Sequence, residues 1–180
     1  MKASSSLFSL EDKNFFTHLT NYSVQKYCND FGKEEIGNEI SFESFEKNFK
    51  EEYNLDINIR ENFFPKIKKI IEISMKSVKK IININSRKGS FEIFGYDFML
   101  DEELNPYLIE INTNPGLEIS SPLIEMLIPR MIDDAFKLTI DKVFLINKKN
   151  LDKMKENPYK VTGYDDEENM WELVCNIIDS

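Results

Sequence analysis

Two carboxylates stand inside runs that read as apolar strands. In GYDFMLDEELNPYLIEINTNPG, residues 95–116, Asp97 interrupts Phe91–Leu100 and Glu110 interrupts Tyr107–Ile111. Charged side chains are seldom buried unless they are paired. Side chains alternate faces along a strand, so Glu110 and Asn112 point the same way. A turn centred between Glu103 and Leu104 sets Asp97 directly opposite Glu110. Like charges so placed repel, and the pKa of one of them must rise. A hard divalent cation removes the repulsion. Asp97, Glu110 and the Asn112 amide oxygen give three hard ligands on one face, too few for a closed Ca²⁺ cage and suited to Mg²⁺ with a nucleotide phosphate. The spacing fits a solvated strand face as well, since Leu108 breaks strict alternation beside Ile109 and Glu110. Spacing does not decide between the two.

A second polar cluster, Thr17-His18-Leu19-Thr20-Asn21, lies near the centre of a turn-rich stretch, residues 1–30. A lone histidine is more often a satisfied structural residue than a catalyst. Here Thr20 and Asn21 stand beside it as hydrogen-bond partners. Other polar features read more plainly. Asp101, Glu102 and Glu103 form a solvated turn. Asn114-Pro115-Gly116 is a turn. Gly95 inside a strand marks a close backbone approach or a bulge. Phe91, Phe94 and Phe98 read as core.

These residues need elements to hold them. Residues 41–52 predict a helix with Ser41 as N-cap and Phe42, Phe45 and Phe49 at helical spacing. Residues 61–83 predict a long amphipathic helix: Ile67, Ile70, Ile71, Met75, Val78 and Ile82 form one stripe, lysines face the other way, and Pro65 sits in the first turn. Residues 83–90 are a loop. A further helix follows Pro122 to about residue 140, with Pro129 expected to kink or interrupt it. Residues 147–170, with the acidic run at 165–168, predict an exposed polar linker. Trp171, Val174, Ile177 and Ile178 predict a short terminal helix.

Composition narrows the classes. The chain has 180 residues, 41% hydrophobic and 31% charged, which fits one globular domain. No apolar run is long enough to span a membrane. Glu11 and Asp12 stand where a secretory leader needs an apolar stretch. Two distant cysteines give neither a disulfide framework nor a metal motif and suit a reducing cytosol, and one histidine excludes a zinc site built on several imidazoles. A net charge of −9 argues against nucleic acid as a partner.

The residues also carry a resemblance. F-E-I-F-G-Y-D-F-M-L-D followed by Y-L-I-E-I-N-T-N-P, with H-L-T-N-Y-S-V-Q-K at 18–26 and G-K-E-E-I-G-N-E at 32–39, resembles the C-terminal catalytic segment of the tubulin–tyrosine ligase family. The likeness runs from about Ser4 to about Phe144. It implies an α/β fold: an antiparallel sheet flanked by helices, the C-terminal half of an ATP-grasp unit, over 1–146, with the linker and short helix in 147–180. An incomplete sheet of this kind is expected to leave an exposed edge or apolar face. The resemblance implies ATP and Mg²⁺ as cofactors. It makes Asp97, Glu110 and Asn112 the metal ligands, Ile109 a residue packed on adenine, and His18, Leu19, Thr20 and Asn21 the lining of the nucleotide and phosphate end. It assigns no general base.

The implied reaction joins a free amino acid (tyrosine, glutamate or glycine) to tubulin or microtubules through an acyl-phosphate, in the cytoplasm and at the cytoskeleton, a cilium or flagellum included. Family members carry further domains ahead of the H-L-T-N motif, with phosphate-holding lysines and acceptor-site arginines that have no counterpart here. The chain is therefore expected to be part of a longer ligase and inactive alone. Two other readings remain: a non-catalytic protein that binds tubulin or another partner, and an ATP-grasp ligase acting on a different protein.

Overall fold

The computed structural model describes residues 1–33, 36–85, 87, 89–144 and 158–177. Over these residues the chain is α/β, with helices around one two-stranded antiparallel sheet.

Short helices come first: α1 (Phe15–His18) and α2 (Tyr22–Gln25), then a 3-10 turn at Ile36–Asn38. Residues 1–3 run antiparallel to 38–40: the Ala3 amide donates to the Asn38 carbonyl at 2.9 Å and Ile40 to Met1 at 2.8 Å. Helix α3 (Phe42–Tyr53) starts where the sequence predicts. Ser41 Oγ accepts from the Ser44 amide at 3.0 Å, satisfying one orphan donor of the first turn. Asn54, left-handed with φ 53°, ends it. The phenylalanine spacing becomes a ladder, with Phe45–Phe49 at 5.8 Å and Phe49–Tyr53 at 4.9 Å between ring centres.

The long helix expected over 61–83 is two helices. Helix α4 (Ile59–Asn62), capped by Asn58, is separated from α5 (Phe64–Val78) by Phe63. Pro65 accounts for the break: it has no amide to bond the Glu61 carbonyl and is tolerated only in the first turn of the helix that starts beside it. After Val78 the chain continues as turns, with the Val78 carbonyl shared by the amides of Ile81 (2.8 Å) and Ile82 (2.9 Å), where Ile81, Ile82 and Asn83 are weaker helix formers. On α5, Glu72 accepts from Lys76 at 2.6 Å and Lys69 at 3.0 Å, and these two bonds hold its carboxyl down at about 2.

Strands β1 (Gly95–Leu100) and β2 (Pro106–Asn112) form the hairpin. One face carries the half-buried Tyr96, Phe98, Leu100 and Leu108 and lies toward α5, where Ser74 Oγ meets the Tyr96 hydroxyl at 2.9 Å. The apolar face expected to be left open is present on the other side, where Met99 and Tyr107 are each 58% exposed.

Helix α6 (Pro122–Leu138) is capped by Ser121 and runs on to α7 (Ile140–Phe144). It passes Pro129 without interruption. Among the described residues the buried apolar ones are Ile59, Phe63, Ala135 and Val161, supplied by α4, the α4–α5 junction, α6 and the C-terminal segment. That segment departs from both expectations made for it. Residues 147–157 lie outside the described part. Residues 158–170 are no linker: they dock on α6. Arg130, fully buried, donates Nη1 to the Tyr159 carbonyl at 3.1 Å and Nη2 to the Asp165 carbonyl at 2.9 Å, and pairs with Asp134 through Nε at 2.8 Å.

The terminal helix is absent over 171–177. The Met170 amide donates to Asp134 Oδ2 and that of Trp171 to Asn169 Oδ1, both at 2.9 Å, but no helical turn follows. The indole of Trp171 donates to the Met131 carbonyl at 2.9 Å.

Candidate functional site

The hairpin sets the two carboxylates face to face. Gly95, Tyr96 and Asp97 pair with Asn112, Ile111 and Glu110, whereas Phe98, Met99 and Leu100 pair with Leu108, Tyr107 and Pro106. Ile109 is therefore the extra residue of a β-bulge. The turn is one residue tighter than the sequence suggests. Asp101 and Asn105 close it, with the Asp101 amide on the Asn105 carbonyl at 3.1 Å, and Leu104 takes a left-handed φ of 60°. Asn105 donates its amide (2.7 Å) and side chain (3.0 Å) to Asp101, which holds that carboxyl low. Without the bulge, such a turn would oppose Asp97 to Ile109. The bulge restores Asp97 to Glu110 and sends Leu108 to the face of Phe98. Leu108 breaks alternation for that reason.

Asp97 and Glu110 are both accessible to solvent. Partial burial, then hydrogen bonding to Glu110 and the charge of Glu110, push the Asp97 carboxyl up, while Lys2 pulls it down. Asn112 Nδ2 donates to Glu110 Oε1 at 3.1 Å, which fixes the amide on the carboxylate face. The donor chemistry fits a hard cation: two facing carboxylates, one of them already resisting ionisation, and an amide oxygen beside them. Among the described residues no three His, Cys, Asp or Glu converge on a point, so a cation held here would have two carboxylates and one amide oxygen from the chain. Gly95 is needed at the base of the site. A Cβ there would lie 2.9 Å from Pro115 Cβ, so the chain leaving β2 could not pass so close. Ile109, at the bulge, is 57% exposed and offers a flat apolar surface at the edge of this face.

Residues 18–21 join the end of α1 to the start of α2. His18 is exposed: its Nε2 donates to the Asp12 carbonyl, and its ring meets Phe8 edge-on at 5.8 Å. Leu19 is 42% exposed, and Thr20 is open to solvent. Asn21 occupies the N-cap position of α2 without a side-chain cap bond. The structure thus brings Asp97, Glu110 and Asn112 together. No hydrogen bond, ion pair or ring contact among the described residues joins 18–21 to them.

A buried amide holds the 18–21 turn. Gln25, fully buried, stands next to last in the H-L-T-N-Y-S-V-Q-K stretch. Its Nε2 donates to the carbonyls of Phe16 (2.9 Å) and Leu19 (2.5 Å); its Oε1 accepts from the Ser5 amide (2.9 Å) and Asn38 Nδ2 (3.4 Å). Asn38 is buried and left-handed (φ 56°), and its Oδ1 accepts from the Gly32 amide at 2.8 Å. Next to it, the buried carboxylate of Glu39 accepts from the hydroxyls of Ser120 (3.1 Å) and Ser121. Gly37 permits the approach: a Cβ there would lie 3.2 Å from Ser121 Cβ, and its φ is +75°. Buried polar types at Gln25, Asn38 and Glu39 were the signal; no periodicity marks them.

Comparison with known proteins places the chain. A model of the tubulin-tyrosine ligase family matches residues 1–151. Tubulin glycylase 3C of Tetrahymena thermophila is 39% identical over 144 residues, 74% of this chain and 13% of that protein. A protein of the same organism named probable alpha-tubulin polyglutamylase is 35% identical over 130 residues, 72% of this chain and 30% of its own length. Protein monoglycylase TTLL8 of Homo sapiens is 30% identical over 146 residues, 79% of this chain and 17% of that protein. The chain thus spans less than a third of each of these relatives.

Proposed function

The chain belongs to the tubulin-tyrosine ligase family, and from that premise we propose that it forms the metal-binding wall of an ATP-dependent ligase that joins an amino acid to tubulin. The observation that carries this reading is the register of the hairpin: Asp97 opposite Glu110, with Asn112 bonded to Glu110, on a face left open to solvent.

In this reading Asp97, Glu110 and the Asn112 oxygen hold Mg²⁺. When bound, the metal would supply charge neutralisation and ATP a phosphoryl group that activates a carboxylate as an acyl-phosphate, from which the amine of an amino acid would expel phosphate as the amide forms. The chain itself contributes positioning. Asn112 orients Glu110 by donating to it. The hairpin fixes Asp97 at a constant separation from Glu110, because both sit in paired strands. Ile109 offers apolar area to a flat base. The exposed groups of His18, Thr20 and Asn21 offer donors and acceptors at the phosphate end. Leu19 presents its side chain there while its carbonyl is turned to Gln25. Two of the three relatives above carry glycylase names, which supports glycine as the first amino acid to test.

The test is titration of a fluorescent ATP analogue against the chain with and without Mg²⁺, and against Asp97→Asn and Glu110→Gln. Binding that requires Mg²⁺ in the wild type and is lost in both variants is expected. Binding that ignores the metal, or no binding, overturns the reading.

A further inference from the structure

We propose that Gln25 is a positioning residue: by bonding the Leu19 carbonyl and the Asn38 side chain at once, it sets the 18–21 turn against the 36–40 loop and so fixes the shape of the nucleotide wall. The inference rests on the function proposed above for that wall.

A primary amide has two donor hydrogens and two acceptor lone pairs. Gln25 uses all of them, with no exposure to solvent: Phe16 and Leu19 carbonyls on the nitrogen, Ser5 and Asn38 on the oxygen. Few other side chains fit. Glutamate would turn an acceptor toward two carbonyls. Asparagine is one methylene short. Methionine fills the space but leaves the Leu19 carbonyl and the Ser5 amide without this partner, while the Phe16 carbonyl keeps Ser4 Oγ and Asn38 keeps Ser5 Oγ at 2.6 Å; the two losses are unfavourable in a buried network. Were packing the only requirement, an apolar residue with ordinary backbone turns around it would serve with less desolvation.

The bonds lead somewhere specific. One end of the network is the carbonyl of Leu19, inside the turn assigned to the nucleotide. The other end is Asn38, whose neighbour Glu39 holds Ser120 and Ser121 at the start of α6. Ser120 and Ser121 lie on the stretch that leaves β2 just beyond Asn112. The three sequence signatures are thereby tied into one relay: the 18–26 stretch through Gln25, the 32–39 stretch through Asn38 and Glu39, and the metal strand through the chain that follows it. Gln25 touches none of the groups that would contact ligand, so its effect is on their placement.

Gln25→Met and Gln25→Glu test this in the chain as described. Amide hydrogen exchange in Gln25→Met is expected to quicken over both 19–22 and 37–40 and to leave the β1–β2 hairpin unchanged. Mg²⁺-dependent affinity for the fluorescent ATP analogue is expected to fall about tenfold, the effect of losing one or two buried hydrogen bonds. Gln25→Glu should weaken binding near neutral pH and recover, relative to wild type at the same pH, on acidification, because a protonated carboxyl can again donate to the Leu19 carbonyl. A role confined to filling space would not produce that profile. Exchange that changes only beside residue 25, or that quickens in the hairpin too, overturns the proposal, as does a Gln25→Glu to wild-type ratio that ignores pH. If the wild type binds no nucleotide, the function proposed above fails, and the exchange pattern still decides whether Gln25 couples the two segments.

Discussion

Two pairs of charged residues in this molecule are arranged on opposite principles. Arg130 and Asp134 are of opposite sign, 0% and 1% exposed, one helical turn apart on α6. Every neighbour completes them: three backbone carbonyls on the guanidinium, the Met170 amide and Lys137 on the carboxylate. Asp97 and Glu110 are of like sign, open to solvent and opposed across a hairpin. The first pair is finished by the chain itself and anchors residues 158–170 to α6. The second is left unfinished, its charges compensated only weakly by Lys2. A charge pair that the protein satisfies internally serves the fold, while one that it leaves in tension on an open face is available to a ligand. The contrast shows in the pKa directions. For Asp134, burial pushes the carboxyl up, but the Met170 amide, Arg130 and Lys137 outweigh it and hold it low. For Asp97 the balance goes the other way.

The contrast is most directly broken at Arg130. Arg130→Met takes the guanidinium from the buried Asp134 carboxylate and from three carbonyls, and should cost about 3 kcal/mol in urea unfolding, with early proteolysis across 158–170. Adding Asp134→Leu should recover part of that loss, the share that comes from the buried charge; a double variant as unstable as the single one would show that the bonds to the Tyr159, Asp165 and Glu168 carbonyls and from the Met170 amide set the cost.

Acidification should release the same segment more gently. The Asp134 carboxyl is depressed in the fold, so its stabilisation is full above the ordinary value of 3.8 and is lost as pH falls through the folded value. Protease nicking of 158–170 that begins only below that value would fit. Nicking unchanged between neutral pH and pH 3 would not.

Asp97 should behave with the opposite sign. Its raised carboxyl destabilises the metal-free fold once ionised, so Asp97→Asn should be more stable than the wild type near neutral pH, by no more than about 1 kcal/mol for so exposed a pair. The advantage should vanish below 3.8, where both proteins are neutral at this position. Mg²⁺ should raise the midpoint of the wild type and not that of the variant. A variant less stable than wild type without metal would mean that Asp97 serves the fold, as Asp134 does.

The smallest effect calibrates the others. Ser41→Ala removes a local cap and should cost about 1 kcal/mol without altering either pair.

Much of this was legible along the chain. Ser41 and the aromatic spacing of α3, Pro65 near a helix start, the close approach at Gly95 and the opposition of Asp97 to Glu110 all follow from local rules, since capping, strand alternation and turn closure act over a few residues. Even there, the register was reached through a feature the sequence does not announce: a shorter turn offset by a bulge at Ile109. The helix over 61–83 differs in length from its apolar stripe because the stripe says which face is buried, not where the backbone bonds stop. The apolar spacing at 171–178 marks a face and not a helix, because so short a segment seldom recovers the cost of helix nucleation.

The sequence by itself determined the elements, their faces and the placing of two acids on one side of a hairpin, because those depend on neighbours a few positions away. Tertiary structure decided which polar side chains close the fold. Arg130 finds the Asp165 carbonyl 35 residues on, Gln25 finds the Ser5 amide 20 residues back, and Glu39 finds Ser121 82 residues on. Periodicity encodes a direction for a side chain. It does not encode the carbonyl or hydroxyl waiting at the other end, which exists at that point in space only once the distant segments have packed.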